Sequence, residues 1–146
     1  MFISYNKEQI IDVAKGVLAK VFLAKKDKAV LIGLNGDLGS GKTTLVQEIA
    51  KSLNIKENVI SPTFTIAKFY KLDKDQKWKQ LVHIDAYRIE KEDELKHIGW
   101  QEILENKENI IFIEWADRII KSIPKDSIFF DLKYEEEIRS IKLRNE

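Results

Sequence analysis

The chain has 146 residues, 44% of them apolar and 34% charged, with 25 basic against 24 acidic side chains for a formal net charge of +1. This balance excludes a disordered or fibrous polymer and leaves no overall field to draw the protein onto nucleic acid or anionic lipid. Cysteine is absent, which removes disulfides, thiolate metal sites and a cysteine nucleophile. The N-terminal stretch lacks a basic segment followed by an apolar one, and no apolar run nears the roughly 18 residues of a membrane span. A cytoplasmic protein with one domain over residues 1–146 is expected, with neither membrane nor DNA as a partner.

Asn6, with Gln9 three residues on, has the pattern of a capping box. It opens a helix whose residues Ile10, Ile11, Ala14, Val17, Leu18, Val21 and Phe22 recur at helical spacing. Residues 29–34 form a continuous apolar run of the kind a buried parallel strand shows. Helical spacing returns over residues 42–53 with Leu45, Val46, Ile49, Ala50 and Leu53. Residues 71–80 are polar apart from Leu72 and Trp78, which predicts a solvated loop or hairpin between two strands. Residues 81–84 and 110–113 have strand length and composition, and each run ends at an acid, Asp85 and Glu114. After Pro124, residues 127–134 and 138–143 predict an antiparallel hairpin around an acidic turn at a sheet edge. The order of elements predicts a three-layer α/β sandwich of the P-loop NTPase kind, with a central, mainly parallel sheet and an antiparallel C-terminal edge. Its site belongs at the C-terminal ends of the strands.

Gly36, Asp37, Leu38, Gly39, Ser40, Gly41, Lys42 and Thr43 match G-x-x-x-x-G-K-[ST] at every fixed position, directly between a predicted strand and a predicted helix. Glycines let the backbone curl so that successive amides and the helix N-terminus hold phosphate oxygens. Lys42 is the expected counter-charge for the β- and γ-phosphates. The Thr43 hydroxyl is the expected ligand of Mg²⁺, and Thr44 the neighbour of the α-phosphate. GTP is disfavoured: the string Asn106-Lys107-Glu108-Asn109 lacks the acid of N-K-x-D, and Asp85 is not followed by the glycine of a D-x-x-G switch. ATP is therefore the expected nucleotide. An acid at a strand end should hold Mg²⁺ or its water, and on spacing alone Asp85 and Glu114 qualify equally. Arginine is scarce, with only Arg88, Arg118, Arg139 and Arg144, and none is an obvious finger.

Four separated strings, GDLGSGKTT from Gly36, SPTF from Ser61, HIDAYR from His83 and EW at Glu114-Trp115, resemble the TsaE family in order and spacing. That resemblance, over residues 28–115, implies a bacterial ATPase acting with TsaB and TsaD in forming threonylcarbamoyladenosine beside the anticodon of tRNAs, with tRNA reached through the complex. It also implies that Glu114 binds Mg²⁺ and that Asp85 assists hydrolysis near the γ-phosphate. The 61–64 loop lies near the nucleotide by the same likeness, with a Thr63 or Thr65 hydroxyl to sense the γ-phosphate. The departure is N-terminal: the family often has a threonine after an acidic residue, where this chain reads Lys7-Glu8-Gln9-Ile10-Ile11. Glu8 is thus either a nucleotide contact or a first-turn acid that stabilises a helix N-terminus. His83 and His97 read as hydrogen-bonded core or surface residues rather than bases. Trp100 and Trp115 read as core or as partner contacts. A small-molecule kinase or a nucleotide-gated binding module would use the same loop, but a kinase would be expected to carry an arginine-bearing lid.

Overall fold

The computed structural model describes residues 1–24, 27–60, 62 and 65–144. Ten elements follow the chain: β1 (Phe2–Tyr5), α1 (Ile10–Phe22), β2 (Val30–Asn35), α2 (Lys42–Ser52), β3 (Ala67–Lys71), β4 (Gln80–Asp85), α3 (Trp100–Glu105), β5 (Asn109–Glu114), β6 (Ile128–Glu135) and β7 (Ile138–Leu143). Short 3₁₀ turns cover Lys7–Gln9, Glu92–Ile98 and Ala116–Ser122.

The capping box forms. Gln9 N donates to Asn6 Oδ1 at 3.1 Å and Asn6 N donates to Gln9 Oε1 at 2.8 Å, so two amides at the start of the segment are satisfied reciprocally. The first turn is 3₁₀, and the α-helix begins only at Ile10. Residues 80–85 and 109–114 are strands as their apolar runs predict, and each keeps its acid as the last residue.

All seven strands lie in one sheet, in the order β1-β7-β6-β2-β5-β4-β3. The middle four, β6, β2, β5 and β4, run parallel. The C-terminal hairpin is antiparallel as expected, yet it is not the edge, because β1 pairs antiparallel with β7 and β3 pairs antiparallel with β4. Four residues hold too little periodicity to announce a strand, and Phe2–Tyr5 become one through pairing with β7.

Strand pleat divides the core into two layers, because successive side chains point to opposite faces. Val30, Ile32 and Leu34 of β2 and Ile110 and Phe112 of β5 pack with α1 and α2. Leu31, Ile111 and Ile113 pack on the other face with Trp100 and Ile103 of α3 and with Ala116 and Ile119. Trp100 is therefore core, its Nε1 donating to Ser122 O at 2.9 Å. Of the 71–80 segment, Lys71 and Gln80 pair as the last residue of β3 and the first of β4, residues 72–79 connect them, and only part of that connection is solvated. Trp78 is fully buried against Phe22, with ring centroids 5.1 Å apart, and Lys77 Nζ donates to Phe22 O at 2.6 Å and Ala24 O at 3.3 Å. This lysine satisfies carbonyls at the C-terminal end of α1, where a cation is also favoured by the helix dipole.

Candidate nucleotide-binding site

The loop between β2 and α2 curls through positive φ at Gly36 (154°), Gly39 (82°) and Gly41 (102°). A Cβ on Gly36 would run into the Leu132 carbonyl and come within 2.5 Å of Ser40 Oγ, so the turn closes only around glycine. Lys42 Nζ reaches back over the loop, donating to Gly36 O at 2.5 Å and Asp37 O at 3.1 Å. It also lies 4.1 Å from the centroid of the Trp115 ring. Burial pushes the Lys42 ammonium below the ordinary lysine value, while the carboxylates of Glu114, Asp85 and Asp37 act in the opposite sense.

Period two in the strands decides which acids meet this loop. Leu81 and Ile110 face α1 and α2, so His83, Asp85, Phe112 and Glu114 share that face. Glu114 stands opposite Asp85 in the β4–β5 register and beside Leu34 in the β2–β5 register. It is 3% exposed and accepts a hydrogen bond from Thr43 Oγ1 at 2.7 Å, while its other oxygen lies 2.6 Å from His83 Nε2. Asp85 lies one strand further from the loop, half-buried, with Oδ1 accepting from Tyr87 N at 3.0 Å.

These groups open on a cleft of about 710 Å³ lined by Leu38, Gly39, Gly41, Lys42, Thr43, Thr44, Asp85 and Glu114 among others. Asp37 is exposed and turns its carbonyl to Lys42 and to Ser40 N, and Ser40 is buried under the loop. Glu8 is exposed in the 3₁₀ turn after β1 and is not among the residues lining the cleft. Pro62 and Thr65 line the cleft, whereas Ser61, Thr63 and Phe64 lie outside the described residues.

Four residues take parts at the site that the sequence left unassigned. His83 is buried and hydrogen-bonded as expected, but its partner is Glu114. Trp115, at φ 59°, lies over Lys42 and packs on Tyr87 with centroids 5.0 Å apart. Arg88 and Arg139 both line the cleft, so two of the four arginines are at the site after all. The spacing of His83 two residues before Asp85 was a usable signal, since it places both side chains on one face.

The donor set fits Mg²⁺ with a nucleotide. Among the described residues no three His, Cys, Asp or Glu side chains gather into a metal cage. One hydroxyl and one buried carboxylate do meet, which suits a hard ion that otherwise relies on water and substrate phosphates. No helix among the described residues is long and apolar enough to cross a membrane.

Residues 5–142 match the family described as threonylcarbamoyl adenosine biosynthesis protein TsaE. The tRNA threonylcarbamoyladenosine biosynthesis protein TsaE of Haemophilus influenzae is 33% identical over 117 residues, which span 80% of this chain and 71% of that one. The protein of the same name from Nostoc sp. is 37% identical over 119 residues, covering 70% of each chain. The crystal structure of Bacillus subtilis YdiB is similar in fold at a TM-score of 0.71 and 27% identity, over 98% of this chain and 84% of that chain.

Proposed function

This chain belongs to the TsaE family of threonylcarbamoyl adenosine biosynthesis proteins, and we propose that within tRNA threonylcarbamoyladenosine formation it is a Mg²⁺-dependent ATPase whose turnover resets a complex with TsaB and TsaD. The observation that carries the reading is the 2.7 Å bond between Thr43 and Glu114 at the N-terminus of α2, one residue from Lys42.

The loop amides of residues 36–43 and the start of α2 hold the phosphate chain. Lys42 compensates the charge that builds on the β–γ bridge as the γ-phosphoryl departs. Thr43 and Glu114 would hold Mg²⁺, and His83 fixes the second oxygen of Glu114. An ion held there would supply charge neutralisation for the β- and γ-phosphates. Asp85, on the same face one strand away, orients the attacking water and receives its proton as the bond to the bridging oxygen breaks, giving ADP and inorganic phosphate.

Phosphate release from ATP, followed with and without Mg²⁺ and with and without TsaB, TsaD and tRNA, tests this. Release should require Mg²⁺, rise with the complex and vanish in Lys42→Ala. Transfer of the phosphoryl group to a small molecule in place of water would make the chain a kinase, and binding without release would make it a nucleotide-gated binding module.

A further inference from the structure

Tyr5, Arg139 and Tyr134 stand side by side across three strands, Arg139 pairing with Tyr5 in the β1–β7 register and with Tyr134 in the β6–β7 register. Residues directly opposite in antiparallel pairs project to the same face. Here it is the face of Leu132 and Ile141, which pack in the core layer of α2. The Arg139 guanidinium lies 4.9 Å from the Tyr134 ring centroid, and its Nε and Cδ come to 3.7 and 3.8 Å of the point where a Cβ on Gly41 would stand. The Tyr5 hydroxyl is 3.8 Å from that same point. Tyr5 is 3% exposed, and its hydroxyl has no hydrogen-bond partner among the described residues.

Charge makes this arrangement informative. No carboxylate among the described residues lies within ion-pair distance of Arg139, yet the guanidinium sits beside the positive N-terminal end of α2 and on the cleft that Lys42 lines. Glu114, Asp85 and Asp37 offset Lys42, but no carboxylate among the described residues pairs with Arg139, so its side of the cleft favours an anionic ligand. Thr43–Glu114 and Asp85 mark the β5–β4 side of β2, whereas Arg139 lies on the β6–β7 side. A phosphate chain whose metal-bound end is on the first side presents its other end to the second.

We propose that Arg139, braced by the Tyr134 ring, is the cation that takes the α-phosphate end of the bound nucleotide, with the buried Tyr5 hydroxyl as a second donor. The assignment rests on the cleft being an ATP site. A guanidinium offers several donors in a fixed plane to one phosphate while its face stays on the aromatic ring, a combination that lysine cannot reproduce.

Calorimetric titration of the full chain with ADP and with ATP, each with and without Mg²⁺, tests the assignment on Arg139→Gln, Arg139→Lys and Tyr5→Phe. Arg139→Gln should weaken ADP and ATP by the same factor, about 10- to 100-fold, whether or not metal is present. Arg139→Lys, which keeps the charge, should lose less, and Tyr5→Phe about 2- to 10-fold. A loss for ATP with ADP unchanged would move Arg139 to the γ-phosphate and overturn the proposal, as would unchanged affinity for both in a normally folded variant. A wild-type chain that binds neither nucleotide overturns the ATP reading and this assignment together. A wild-type chain that binds both, beside an Arg139→Gln that binds them equally tightly, overturns this assignment alone.

Discussion

At Lys42 burial and neighbouring charge oppose each other, and burial is the larger, so the ammonium gives up its proton at a lower pH than an ordinary lysine. Only the charged form serves a polyphosphate. ATP affinity should therefore hold below the lowered folded-state value and fall as pH rises through it. The stability of the free protein should move oppositely, because between the folded and the ordinary value the unfolded chain binds more protons and rising pH favours the fold. Binding titrations across the alkaline range, compared with Lys42→Arg, check this; an equal decline in the arginine variant would assign the effect to another group. Glu114 and Asp85 differ in a similarly testable way. Glu114→Gln removes charge from the carboxylate that meets Thr43, so the Mg²⁺ needed for half-maximal turnover should rise. His83→Phe should produce a milder form of the same defect, about tenfold, by freeing the second Glu114 oxygen. Asp85→Asn should leave ATP affinity nearly intact and lower turnover, since orienting the water counts only in the transition state. A metal defect in Asp85→Asn, with none in Glu114→Gln, would reverse the two roles.

Among the elements, the β2–loop–α2 unit depends on β6 as much as on its own glycines. Leu132 presents its carbonyl where a Gly36 side chain would stand, and backbone cannot yield as a flexible side chain can. Gly36→Ala should therefore push the loop away from β6, destabilising the fold by about 2 kcal/mol and weakening ATP binding as well. Urea unfolding together with ATP titration checks this, and wild-type values for both would show that the loop accommodates the methyl group. The Ala116–Ser122 turn is tied to the same strand from the other side. Arg144 bonds Asp117 at 2.8 and 2.9 Å and Asp131 at 2.5 Å, and those hydrogen bonds hold its guanidinium protonated. That clamp joins β6 to the segment just after Glu114 and Trp115.

For the whole molecule, the cleft is open and Leu38 and Tyr87, which line it, are exposed. The isolated chain is expected to turn over slowly and to be stimulated by TsaB with TsaD, which steady-state phosphate release measures; rapid turnover alone, unchanged by the partners, would remove the reset mechanism. The sequence by itself determined the phosphate loop, because its glycines, lysine and threonine act over eight consecutive residues whose spacing is the geometry. It also placed Asp85 and Glu114 at the ends of two apolar strands, whereas the β4–β5 register set them opposite each other on one face. Strand order was decided only by the tertiary structure. β5 neighbours β2 and β4 does not, and that alone brings Glu114 rather than Asp85 to Thr43. The same holds for β1, which carries Tyr5 to Gly41 while Glu8 stays in solvent, and for Trp78, buried by a helix more than fifty residues earlier in the chain. Local patterns report backbone period and turn chemistry, whereas the choice of neighbour between distant strands follows from packing surfaces that no window of sequence contains.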